Sequence, residues 1–120
     1  MALENESVIK NISIDPFLCA WKQGVLAVGP KYFGMRDAAD VEGAMDKRQL
    51  TPDKQAIGQD IDAMDKWRRS MLIAMVGFYN DRWALTLQNE TKTPVHTIAY
   101  RLDAENKGIF CALLQSYEGW

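Results

Sequence analysis

The sequence predicts a mainly α-helical domain of four to five helices. A small β element near residues 83–102 would make the class α+β if those residues pair as a hairpin. Three observations carry this reading. Ile57, Ile61, Met64, Arg68, Met71, Met75 and Phe78 recur at spacings of 4, 3, 4, 3, 4 and 3, the seam of an amphipathic helix. Asp15-Pro16 and Thr51-Pro52 each pair a capping residue with a proline, the combination that opens helices. Only residues 83–87 and 95–102 carry strand character within that half of the chain.

Residues 8–14 are apolar and β-branched and read as a short strand. From Asp15-Pro16 a helix runs over 16–28, with Phe17, Ala20, Trp21, Val25 and Val28 at helical spacing, and Gly29-Pro30 closes it. Residues 31–36 form a loop carrying Tyr32 and Phe33. Residues 37–50 read as a second, acidic helix with Ala38, Val41, Ala44, Met45 and Leu50 inward, weakened by Gly43. Thr51-Pro52 opens the third, with Asp53 in its first turn.

Unbroken to Tyr79, that third helix would hold about 28 residues and span roughly 42 Å. A domain of this size has a radius of gyration of only about 13–14 Å, so a break near Gly58 is expected. Residues 70–79 carry no charge and should form the central element of the core. Asn80-Asp81 ends the helix. A polar loop, 88–94, separates the two β-like segments, although Thr93-Pro94 could equally open a short helix. Asp103 caps a last helix with Ile109, Phe110, Leu113, Leu114 and Tyr117 inward.

The 120 residues suit one domain, and 48% hydrophobic residues suffice for a core without staples. The longest apolar run, 71–79, is nine residues against the roughly 20 of a bilayer span. Residues 1–10 carry two glutamates and no apolar stretch of the signal-peptide kind, which places the chain in the cytoplasm. Cys19 and Cys111 then read as two buried thiols rather than a disulfide.

Chemistry is sparsely marked. The sequence has no phosphate-binding glycine loop, nucleophile elbow, HExxH or calcium loop. His96 is the single histidine, which excludes metal sites built on several histidines. No catalytic residues, metal or cofactor are therefore expected, and the chain reads as a non-enzyme. The net charge of −2 hides an asymmetry: residues 37–65 hold eight acids against three bases, and 66–101 six bases against two acids. The two blocks either neutralise each other or present two faces to different partners.

Lys66-Trp67-Arg68-Arg69 is the best candidate binding feature. Cations beside an aromatic can hold phosphate or stack on bases. Alternatively Trp67 covers the core edge while Lys66 and Arg69 pair with Asp62 and Asp65. Arg68 stands on the seam, where a buried guanidinium needs an acid, expected from residues 37–46 or from another subunit. Met64, Met71 and Met75 form either an adaptable partner surface or a plain core stripe. Together with the exposed aromatics Tyr32, Phe33 and Trp120, this predicts a protein–protein interaction module that also has scope to self-associate. Its partner-binding residues would be Trp67, Arg68, Arg69, Tyr32 and Phe33. The alternative is nucleic-acid binding through Lys66, Arg69 and Arg82, and a third option is a small molecule in an aromatic pocket.

The apolar helix running into Phe78-Tyr79-Asn80, then Ala99-Tyr100-Arg101-Leu102-Asp103 and Phe110-Cys111-Ala112-Leu113-Leu114, resembles a small uncharacterised domain of bacterial mobile elements such as phages, plasmids and integrating conjugative elements. The resemblance covers residues 70–117 and implies no activity. It implies a mobile-element accessory or anti-defence protein that works by binding host or defence proteins.

Overall fold

A computed structural model describes residues 15–120, and the strand expected over 8–14 lies outside them. The described residues form seven α-helices and three short 3-10 segments, with no strand among them. The mainly helical class stands. The helix count and the β element do not.

α1 (Pro16–Val28) starts where the sequence places it. Asp15 Oδ1 accepts from the Leu18 amide at 3.1 Å, with Pro16 at the first helical position. Phe17, Ala20, Trp21, Val25 and Val28 are all buried. The Trp21 Nε1–H donates to the Leu50 carbonyl at 2.9 Å, so its one polar atom is satisfied inside the core. At Gly24 a Cβ would lie 2.7 Å from the Met75 side chain, which is how closely α1 approaches the central helix. Gly29, at φ +138°, ends α1 in a conformation that side chains avoid, and a 3-10 turn (Pro30–Phe33) follows.

The single helix expected over 37–50 is instead α2 (Ala38–Glu42) and a 3-10 turn (Lys47–Leu50). Each has its own cap: Asp37 accepts from the Asp40 amide and Asp46 from the Arg48 amide. Gln49 Oε1 takes the Met45 and Asp46 amides, so these amides have side-chain partners and leave the helical ladder. Met45, expected inward, is 84% exposed as a result.

The third helix breaks as expected, though not at Gly58, which stays inside α3 (Lys54–Asp60). Its cap is Asp53 rather than Thr51. A 3-10 turn (Ile61–Ala63) and extended backbone at Met64 separate it from α4 (Lys66–Tyr79). Arg69 holds the break. Its Nε–H donates to the Ile61 carbonyl at 2.9 Å, and Nη2 donates to the carbonyls of Asp62 (2.9 Å) and Met64 (3.2 Å). Carbonyls left over at the end of α3 thus gain charged donors. Ile57, Ile61, Met64, Met71, Met75 and Phe78 nevertheless all remain buried, so the seam survives the kink.

α4 is the centre of the fold, packed by α1 and by the three helices that follow. Ser70, Met71, Leu72, Ile73, Met75 and Val76 are almost wholly inaccessible.

The expected hairpin is two helices, α5 (Asp81–Thr91) and α6 (Val95–Arg101). Asn80 caps α5 by accepting from the Trp83 amide at 3.0 Å, and Ala84 and Leu87 meet the core at helical spacing. The apparent alternation of Trp83, Leu85 and Leu87 is incidental, because Leu85 points to solvent. Lys92 turns the chain in the left-handed region (φ 55°), after which Thr93-Pro94 opens α6. α7 (Ala104–Ser116), capped by Asp103 through the Asn106 amide, lies along α1. Ile109 and Leu113 point inward, whereas Leu114 is 56% exposed and Tyr117 is also exposed. No described helix is long and apolar enough to cross a membrane.

Candidate functional site

The structure redistributes the residues expected to bind partners. Tyr32 and Phe33 are core residues, only 8% and 1% exposed. The Tyr32 hydroxyl donates to Asp60 Oδ2 at 2.7 Å, and Lys31 Nζ meets the same oxygen at 2.7 Å. Burial, reinforced by the bond to Asp60, raises the Tyr32 phenol pKa. The Lys31 and then the Tyr32 hydrogen bonds hold the Asp60 carboxyl below its usual range, and Asp60 in turn raises Lys31. Two apolar bodies in a four-residue stretch looked like a displayed loop because 3-10 turns leave no long periodicity to read.

Trp120 is likewise not displayed. Its ring lies 4.9 Å from that of Trp21 and 5.2 Å from that of Tyr79. Lys47 Nζ sits 5.1 Å from the same ring and donates to the Gly119 carbonyl at 2.6 Å. Cys19 and Cys111, expected buried, are exposed free thiols.

Trp67 and Arg68 are half-buried, with the guanidinium 5.2 Å from the Trp67 ring. Among the described residues the ion pairs are Lys31–Asp60 and Arg36–Asp40, so Arg68 meets no acid from 37–46. Its Nε is buried without a hydrogen-bond partner. Arg69 binds carbonyls rather than Asp65, and Lys66 pairs with neither Asp62 nor Asp65. Arg82 lines a cavity with Lys54 and Trp83, separate from the one that holds Lys66 and Arg69, so the three residues of the nucleic-acid reading are not brought together.

Two other sites are. The first is an apolar groove of about 420 Å³ between α4 and the three helices that follow it. Its floor is Ile73, Ala74 and Gly77, and its walls come from α5, α6 and α7, with Val95 and Ile98 facing Phe110 and Leu114. Although α6 and α7 are joined by two residues, Leu102 and Asp103, they do not pack along each other, and the gap between them is the groove. Gln88 and the Tyr117 hydroxyl are the only polar side-chain groups among its lining residues. The hydroxyl is already committed, donating to the Phe78 carbonyl at 2.9 Å. Leu85, Val95, Tyr100, Leu114 and Tyr117 are exposed on the same three helices and their ends.

The second is a polar cavity of about 200 Å³, where Lys92, Thr93, Thr97 and Arg101 join Lys66, Arg69 and Ser70. Sequence reasoning missed Lys92 and Arg101, because treating 83–102 as a hairpin leaves no reason to set them against the start of α4. Among the described residues no group of three or more His, Cys, Asp and Glu is placed to hold a metal ion.

Comparison of the chain with protein-family models, with curated proteins and with solved structures finds no match.

Proposed function

We propose that this protein is a non-enzymatic interaction module whose α6–α7 groove receives an amphipathic helix from a partner protein. The observation that carries this is the groove itself, an apolar trough between two sequential helices that stand on α4 without closing over it. Exposed apolar surface gathered in this way marks interaction sites in small domains. A helix suits it better than a strand, since no sheet edge is present among the described residues for an extended peptide to join. Ala74 and Gly77 on the floor let an incoming backbone approach, so the occupant would complete the layer around α4. The resemblance of residues 70–117 to a mobile-element domain points to a host or defence protein as the source of that helix. Nucleic-acid binding is less well supported, because Lys66 and Arg69 line one cavity and Arg82 another.

The test is affinity capture from the native host with the parent, with Leu114→Glu and with an Arg36→Glu control, followed by titration of the captured protein's helical segments. One segment should bind the parent and the control and lose at least about tenfold in affinity for Leu114→Glu. Equal affinity for all three chains would sink the proposal. A homodimer that dissociates on Leu114→Glu, seen by sedimentation equilibrium, would replace the foreign helix with a second copy.

A further inference from the structure

We infer that the polar cavity between the start of α4, the end of α5 and α6 binds the phosphate monoester group of a small molecule. Its lining residues include four cations, Lys66, Arg69, Lys92 and Arg101, and no carboxylate. Like charges gathered around about 200 Å³ repel one another unless an anion sits between them. Arg69 is held rigidly by its three carbonyl bonds, and these use Nε and Nη2 only, so the two N–H groups of Nη1 remain for a ligand.

Ser70 supplies the second observation. It is fully buried, it is one of the residues around the cavity, and its Oγ has no hydrogen-bond partner. A serine inside a helix ordinarily bonds back to the carbonyl four residues earlier, and this one does not. A buried hydroxyl left unsatisfied is costly, and a turn of the side chain toward the cavity would let a phosphate oxygen satisfy it. The threonines do not offer the same donor. Thr91 donates to the Leu87 carbonyl at 2.6 Å and Thr97 to the Pro94 carbonyl at 2.7 Å.

Lys92 adds a third. It closes α5 at φ 55°, a position that glycine fills without strain, yet it carries a cation that lines the cavity.

The walls also select the ligand. No aromatic ring lines the cavity, so nothing there stacks on a base, which single-strand binders require. Asp62 and Asp65 precede Lys66 within one helical turn and disfavour a polyanion running along that stretch of chain. A small cavity framed by three helices suits a terminal phosphate entering end-on. None of its lining residues is shared with the apolar groove, so the two proposals fail independently.

Full-length protein titrated at constant ionic strength with inorganic phosphate, glycerol 3-phosphate and a short single-stranded oligonucleotide, followed by amide chemical shifts, tests this. Saturable shifts centred on residues 66–70 and 91–101 are expected with both phosphates. Affinity should fall at least about tenfold in Arg101→Gln and in Lys92→Gly and stay unchanged in Arg82→Gln. Lys92→Gly is the decisive variant, because relief of the left-handed strain should leave its melting temperature equal to or above the parent's. No saturable shift, or an equal loss in Arg82→Gln, overturns the inference. An oligonucleotide that binds more tightly than glycerol 3-phosphate, with a steep salt dependence, also overturns it and returns these cations to nucleic-acid binding.

Discussion

The two sides of α4 are built to different ends. Toward α1 the helix is sealed. Trp21 meets Phe33 and Trp120 edge to face and stacks on Phe17, and Lys47 lies over the rings of Phe17 and Trp120. Toward α6 and α7 the same helix presents Ala74 and Gly77 to an open trough flanked by exposed Val95 and Leu114. One side spends its apolar surface on stability and the other leaves it available. In a helical domain of this size the face that is not closed is therefore the place to look for a partner.

Substitution should expose the contrast directly. Trp21→Ala removes a fully buried indole and strands the Leu50 carbonyl, and is expected to cost about 3–5 kcal/mol, much of a small domain's stability. Met71→Ala and Phe78→Ala, on α4 itself, should cost about 2–5 kcal/mol. Leu114→Ala, on the open side, should stay within about 0.5 kcal/mol. Chemical denaturation of the four variants checks this. A Leu114→Ala variant that melts like Trp21→Ala would mean that the trough is part of the core.

How much of this was legible in the sequence follows from the range over which each signal acts. The limits of α1, the cap at Asp103 and the central place of residues 70–79 rest on local signals and stand as expected, although Tyr79 is exposed and Ala74 and Gly77 are only partly covered where coverage on every side was expected. What was lost depended on competition between local options. Asp46 and Gln49 form a capping box that opens a new 3-10 turn where the composition would have continued a helix, and Arg69 diverts the carbonyls of residues 61, 62 and 64. Residues 83–87 offered alternation and helical spacing at once, and packing against α4 decided between them. The site residues were harder still. Tyr32 and Phe33 look alike whether buried or displayed, and the company that Lys66 keeps with Lys92 and Arg101 depends on a helix pair that the sequence disguised.

The neighbouring arginines sharpen the same contrast at smaller scale. Arg69→Met removes three charge-assisted bonds from the turn that separates α3 from α4, and is expected to cost about 1–3 kcal/mol. Amide exchange at residues 61–65 should quicken as well. Arg68 has no acid among the described residues, only the Trp67 ring and a buried Nε without a partner. Arg68→Met exchanges that guanidinium for hydrocarbon at a seam position and should be neutral or stabilising, within about 0.5 kcal/mol. Equal destabilisation by both changes would show that Arg68 has an ionic partner after all.

The smallest effect concerns a polar cluster, Lys31, Tyr32 and Asp60, beside the closed side. Asp60 is held below its ordinary range, so the folded state keeps the carboxylate where the unfolded chain would take up a proton. Its contribution is complete above the unfolded value of about 3.9 and disappears as pH falls from there through the folded value. Tyr32 and Lys31 are shifted the other way. Their contributions are complete below their unfolded values of about 10 and 10.4 and are lost as pH rises through the folded ones. The cluster therefore contributes a plateau between roughly pH 4 and 10 with a decline on each side. Because the Lys31–Asp60 pair faces solvent, both declines should be shallow and should weaken further in high salt. Urea midpoints measured across pH for the parent, Asp60→Asn and Tyr32→Phe would show it. Asp60→Asn should flatten the acid arm, and Tyr32→Phe should reduce the alkaline one. An acid arm equally steep in the parent and in Asp60→Asn would place its origin in other carboxylates and leave the Tyr32 hydroxyl bond to Asp60 without a role in the pH response.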